Sequence, residues 1–363
     1  MNQYFEFIRY AMNPDVQSVP DVSGMDWHKL YQFACEQAIA GVVFEGVKHL
    51  EDQGSKPSFD LLMEWLGLAE QIASQNKKLN KHCVEVVREY QEAGFQCCLL
   101  KGQGNATMYP NPYSRMSGDI DLWIYGPAEK TEKTEIIKHV RERHHEKIED
   151  VRYYHVGYQD KGVEVEVHFM PNIMNNPVYH RRLQKWYKKM ADGGRLKEEV
   201  ELPDGVGSIP VPTAKFNIVF QLAHMMHHFF DEGIGLRQMI DYYFLLKARN
   251  NDVRCKREDV RDTLKYLNLY NFAGAVMYIM KEVLGLDEKY LIVPVDERRG
   301  KTLLNEILKG GNFGQHSGLA QNNAAKKYFQ KTWRNMQLVK EYPSEALCEP
   351  VFRTWHFFWR MAH

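Results

Sequence analysis

Asp119 and Asp121 stand one residue apart in the run Gly118-Asp119-Ile120-Asp121-Leu122-Trp123-Ile124. Side chains on an extended strand alternate between faces, so the two carboxylates project to the same side. Ile120, Leu122 and Ile124 tie the strand into a core, which leaves the acids together at its beginning. Hard divalent cations such as Mg²⁺ or Mn²⁺ take this kind of oxygen ligand and keep other positions for water and phosphate. A further run, Val163-Glu164-Val165-Glu166-Val167-His168-Phe169, places Glu164, Glu166 and His168 on one face and valines on the other. If the two strands lie side by side, Glu166 completes a three-carboxylate site, with Glu164 as its rival. Such a site can hold metals that activate an attacking oxygen and steady a triphosphate, or it can serve as base toward an acceptor hydroxyl.

Other residues surround this pattern. Lys101-Gly102 follows an apolar run, and Arg115 precedes the aspartates. Either cation can neutralise a triphosphate, Arg115 as a planar fork and Lys101 as a point charge, or can pair with a site aspartate instead. His168 reads as a partner of the carboxylates or a satisfied core histidine rather than a metal ligand. His224 and His228 lie four apart, on one helix face, with Asp231 beyond them. That spacing suits a transition metal, but the surrounding Met and Phe favour a packed helix lining the cleft, with His224, Arg237 or Asp241 facing the acceptor. The basic run Arg181-Arg182, Lys185, Lys188-Lys189, Arg195 and Lys197 reads as a solvated face. Nucleic acid is a possible partner and not the favoured one.

The elements that must position these residues follow from pattern and punctuation. Apolar spacing predicts a helix over Trp27–Leu50 capped by Asp26, and further helices over Phe59–Ile72 and Leu79–Tyr90. Gly94 ends the helical stretch, and Phe95–Leu100 has strand length. Gln103–Tyr109 reads as a short helix before the Pro110-Asn111-Pro112 loop. Ile120–Ile124 is a strand, Ala128–His145 a charged helix, and Tyr153–Tyr158 and Val163–Phe169 form a hairpin through Asp160-Lys161-Gly162. Val178–Met190 is helical, Val200–Val211 holds extended pieces, and helices resume after Pro212. The fold class is therefore α+β in three parts: a helical region (1–93), a mixed α/β core (94–212) and a helical domain (213–363).

Composition narrows the function. The 363 residues carry 47 basic and 47 acidic side chains, which argues against a dedicated nucleic-acid coat. No apolar run reaches the roughly 20 residues that span a bilayer, and MNQYFEFIRYAMNPD lacks a signal-peptide core, so no membrane partner and a cytoplasmic protein are expected. Six scattered cysteines without a CxxC pair read as reduced structural thiols.

The sequence Lys101-Gly102, Tyr109-Pro110, Arg115, Gly118-Asp119-Ile120-Asp121-Leu122 and Glu166-Val167-His168 resembles the nucleotidyltransferase superfamily, in particular its uncharacterised bacterial branch. The resemblance implies a mixed β-sheet core packed with helices. It aligns Gly102 with the turn glycine, Asp119 and Asp121 with the paired metal ligands, Glu166 with the third carboxylate, and Lys101 and Arg115 with basic positions. Gly233-x-Gly235-Leu236-Arg237 through Asp241, and Gly311-Asn312-Phe313-Gly314, look like pieces of the family's helical tail. The sequence departs from the pattern at Gln103, where the superfamily has Gly or Ser, and in the long stretch to Asp119. The implied reaction moves a nucleoside monophosphate from an NTP, ATP first among them, to an unidentified acceptor, with Gly118, His168, His224, Arg237 and Asp241 beside the substrates. Two rival readings are a catalytically silent nucleotide-binding module and a phosphohydrolase using His224, His228 and Asp231.

Overall fold

The computed structural model describes residues 1–15, 18–50, 56–126, 132–144, 148–193, 196–249, 255–312 and 324–362. Helices α1 (Asn2–Ala11), α2 (Trp27–Glu36), α3 (Ala40–Lys48) and α4 (Phe59–Glu92) precede the first strand. Asp26 caps α2 by accepting the Lys29 amide at 3.1 Å. The helix expected over Trp27–Leu50 is broken: Ala38 adopts φ +54°, a left-handed value that ends α2 and redirects the chain into α3. The break frees Gln37, whose buried amide bridges to the C-terminal helices, donating to Ile307 O at 3.1 Å and accepting from Leu236 N at 2.9 Å.

The two helices expected between Phe59 and Tyr90 are one, 34 residues long. At about 1.5 Å per residue it spans roughly 50 Å. Its first half gives Trp65 to the core of the terminal helices. Its second half gives Leu79, Cys83, Val86, Val87 and Tyr90 to the core under the sheet. The polar stretch between them, which reads as an interruption, has no Pro or Gly to break a helix. It holds the buried Asn76 against the loop that precedes the aspartates.

Strands β1 (Gln96–Leu100), β2 (Ile120–Tyr125), β3 (Ile148–Val151), β4 (His155–Asp160) and β5 (Val163–His168) form one sheet ordered β1-β2-β5-β4-β3. Only β2 and β5 run parallel. The β4–β5 hairpin turns on Lys161 (φ +50°) and Gly162 (φ +76°), the positive pair a two-residue type I′ turn requires. Helix α5 (Gly102–Ala106) follows β1, and α6 (Lys133–His144) follows β2. Of the helix expected over 128–145, residues 128–131 and 145 lie outside the described residues. After α7 (Pro177–Asp192) a separate ribbon, β6 (Lys197–Glu201) and β7 (Ser208–Pro212), leads to the tail.

One sheet face, with Leu99, Ile120, Leu122, Val165 and Val167, packs on α4 and α6. The other, with Cys98, Leu100, Trp123 and Tyr125, joins the core of the terminal helices. These include α8 (Ala214–Asp231), α9 (Leu236–Arg249), α10 (Arg257–Tyr266), α11 (Tyr270–Tyr278), α12 (Glu297–Gly310), α13 (Ala324–Gln337) and α14 (Pro343–Ala362). The carboxylates lie on this second face, under α8 and α9. Among the described residues no helix is long and apolar enough to cross a membrane.

Candidate active site

The long connection from β1 to β2 is held from two sides. Lys101 and Gly102 both take left-handed values, φ +55° and +52°, at the tight turn out of β1. For Lys101 that backbone costs about 1–3 kcal/mol, so surrounding contacts must fix it. Gln103 is buried: its amide donates to Asn80 Oδ1 on α4, and its carbonyl accepts from Ser117 Oγ at 2.8 Å. Asn76 Oδ1 lies 2.7 Å from the same Ser117 hydroxyl, whose single proton the two side-chain carbonyls share, and Asn76 Nδ2 donates to the carbonyls of Tyr113 and Arg115 at 3.0 and 2.8 Å. The departure from family pattern at position 103 thus has a structural role, tying the loop to α4.

From the other side, Asp241 on α9 accepts Arg115 Nε at 2.7 Å and Nη2 at 2.8 Å, a two-point pair, and Tyr109 Oη at 2.6 Å. All three side chains are buried. Arg115 and Asp241, both expected beside substrate, are brought together and engage each other. Burial works against the Arg115 charge, but Asp241 more than offsets it and raises its pKa. Asp241 is held below the usual carboxylate range, its burial outweighed by Arg115.

Beyond this clamp the acids converge. Asp121 pairs in register with Glu166 across β2 and β5, so both side chains leave the same face. Glu164 lies opposite Gln159, two residues before Glu166 and nearer the start of β5. Oxygens of Asp119, Asp121 and Glu166 lie within 4.8 Å of one another. Lys101 Nζ sits 3.1 Å from Asp121 Oδ2, and His168 Nε2 is 3.0 Å from Asp121 Oδ1 and 3.3 Å from Glu166 Oε2. Burial alone would lower the His168 pKa, but the two carboxylates raise it to about 9, so it is cationic at neutral pH. Asp121 stays ionised because Lys101 and His168 outweigh its burial, and Glu166 is likewise lowered with His168 against it. Asp119, the most exposed of the three, is raised by the neighbouring Asp121 charge and then by desolvation. Three carboxylates thus meet Lys101 and His168, with Arg237 also acting on Asp119. An all-oxygen donor set of this kind fits a hard divalent cation.

The helical cap supplies the opposite wall. His224, Arg237 and Asp241 line the same cleft as Lys101, Gly102, Gly118 and the aspartates. Lys101 Nζ is 3.1 Å from His224 Nε2. An ammonium only donates, so Nε2 accepts and the His224 proton sits on Nδ1. Burial first, then Lys101, hold the His224 pKa well below its usual value, in keeping with a neutral ring. Arg237 Nη1 donates to Met116 O at 3.0 Å. His228 instead faces Glu232, and Asp231 pairs with Lys331. Among the described residues no metal-capable group includes His224, His228 or Asp231.

Sequence reasoning missed Asn76, Ser117 and His155. His155 Nδ1 lies 3.3 Å from Glu166 Oε2, and its burial lowers its pKa to about 3, leaving the ring neutral. Its place opposite His168 in the hairpin register was the available signal. Of the basic run, Arg182 donates to Tyr266 O at 3.0 Å, and Arg195 lies outside the described residues. In the tail, the Cβ that Gly235 lacks would fall 2.9 Å from Asn312 Cα, and Phe313 and Gly314 lie outside the described residues.

A family model described as an uncharacterised nucleotidyltransferase matches residues 23–285, taking in α4, the whole sheet and the cap helices α8 and α9. None of the curated proteins compared matches the sequence. Among solved structures, an antigenic nucleotidyltransferase-like protein from Paracoccidioides brasiliensis is 12% identical, with a TM-score of 0.35 over 56% of this chain and 93% of that one.

Proposed function

The chain belongs to the uncharacterised nucleotidyltransferase family, and on that premise we propose that it transfers a nucleoside monophosphate from an NTP to an acceptor hydroxyl or phosphate, releasing pyrophosphate. The observation that carries this reading is the convergence of Asp119, Asp121 and Glu166, with ligand oxygens within 4.8 Å of one another. These three residues would hold Mg²⁺ or Mn²⁺. When bound, the divalent cation supplies Lewis acidity to the phosphates and lowers the pKa of an attacking hydroxyl.

The remaining chemistry falls to side chains of this protein. Lys101 places a cation beside Asp121, where phosphate oxygens of the donor would approach. His224 accepts from that ammonium, limiting where it can point. His168 bridges Asp121 and Glu166 and fixes the angle at which each carboxylate faces the cleft. Arg237 adds a further cation on the cap side, next to Asp119 in the same cleft. The Arg115–Asp241 pair joins the β1–β2 loop to α9, so that core and cap present their charges at a constant spacing.

The test is pyrophosphate release with each of the four common NTPs, Mg²⁺ and a metabolite extract as acceptor pool. The Asp119→Asn, Asp121→Asn double variant is expected to lose turnover while keeping a cooperative thermal transition. Undiminished turnover in that variant would sink the assignment.

A further inference from the structure

The transfer reading leaves one adjoining cavity unassigned. A chamber of about 470 Å³ lies beside α5, walled by β1, the β6–β7 ribbon, α8 and α9. Its size falls within the roughly 300–1,000 Å³ of small-molecule sites. It shares Lys101 and Asn105 with the carboxylate cleft, so the two cavities are immediate neighbours.

The lining tells what chemistry fits. Leu99, Val211 and Leu245 give buried apolar surface, while Lys101 and Glu198 are the charged residues among those that line it. Apart from Thr107, whose hydroxyl donates to Gly104 O at 2.8 Å, the uncharged polar side chains of the lining are amides. Asn105 Oδ1 accepts from Gln221 Nε2 at 3.0 Å and from Asn217 Nδ2 at 3.5 Å, and Gln221 Nε2 also donates to Asn217 Oδ1 at 3.0 Å. Asn105, 1% exposed, has no hydrogen-bond partner for its Nδ2 among the described residues. Buried polar atoms are nearly always paired, so this leftover donor on a wall common to both cavities marks a place for a ligand or a water. A phosphorylated or acidic group would find too little positive charge here, and a sugar too few hydroxyl partners. A flat, uncharged heterocycle with donors and acceptors along one edge matches apolar walls with amides between them.

Resting on the nucleotidyltransferase reading of the adjoining cleft, we propose that the chamber receives the base of the nucleotide donor. The ring faces lie against Leu99, Val211 and Leu245, and the base edge meets the Asn105–Asn217 amides. The triphosphate extends past Lys101 to the carboxylates. Base preference is then set by amide orientation, not by charge.

Titration calorimetry in Mg²⁺ with ATP and with inorganic tripolyphosphate tests this. Ala248 is exposed at the chamber wall, so Ala248→Trp adds bulk there without crowding the core. It is expected to weaken ATP at least tenfold and leave tripolyphosphate within twofold. Asn217→Ala is expected to change the ranking of the four NTPs by several-fold. Equal weakening of both ligands by Ala248→Trp overturns the inference. So does unchanged ATP affinity, including the case where acceptor-dependent turnover falls, which assigns the chamber to the acceptor. If the parent binds tripolyphosphate and ATP equally well, the base proposal fails and the cleft reading stands. If it binds neither, the cleft reading fails and takes this inference with it.

Discussion

Replacing Arg115 separates two roles that the residue can have. As a phosphate contact, Arg115→Ala would raise the KM for NTP and leave stability nearly unchanged. As a buried clamp, it would do the reverse. The geometry favours the clamp: Arg115 is 5% exposed, Asp241 is 4% exposed, and two nitrogen–oxygen contacts of 2.7 and 2.8 Å join them. Two unit charges about 4 Å apart attract by roughly 4 kcal/mol at an effective dielectric of 20. Removing one partner also strands the other: Tyr109 Oη still donates to Asp241 at 2.6 Å, but the carboxylate loses its counter-ion in a buried setting. Breaking such a pair costs about 3–5 kcal/mol, whereas exchanging both partners for apolar residues of similar volume is often neutral. Arg115→Ala is therefore expected to lower unfolding free energy by about 3–5 kcal/mol in urea titration, and Arg115→Met with Asp241→Leu to recover most of it. A full double-mutant cycle measures the coupling directly. An Arg115→Ala protein with wild-type stability and only a raised KM for NTP would refute the clamp.

Two further substitutions probe other parts of the fold. A Cβ on Gly41 would collide with the carbonyl oxygen of Ser114, which is backbone and cannot rotate away; Gly41→Ala is expected to cost about 1–3 kcal/mol by overpacking, read as a lower urea midpoint, and an unchanged midpoint would contradict the close approach of α3 to the loop. Glu345 accepts the amides of Asn175 and Asn176, yet burial outweighs them and raises its pKa from 4.5 to about 7. Because the folded state holds this proton more tightly than the unfolded chain, the stabilisation is complete below about pH 4.5 and is lost as pH rises through about 7. Glu345→Gln removes that slope, so the variant should gain on the parent between pH 5 and 8 by at most about 3 kcal/mol; parallel pH–stability curves would show the carboxyl is not perturbed.

Alternation along β2 and β5 is a local property of the backbone, and the sequence by itself determined which face each acid would take. It also marked the β4–β5 turn through Gly162, whose φ of +76° glycine adopts without steric cost. Helix continuity was less legible: the polar stretch around Asn76 looks like a gap because a buried asparagine and a solvated one are the same letter. The union of Asp121 with Glu166 was decided elsewhere. Their strands pair in parallel, and that register depends on burying two sheet faces at once against α4 and α6 on one side and the terminal helices on the other. Arg115 likewise finds Asp241 across 126 positions of sequence. Periodicity reports only a side chain's direction relative to its own element. The partner it meets depends on how separate elements dock, and docking satisfies the core as a whole.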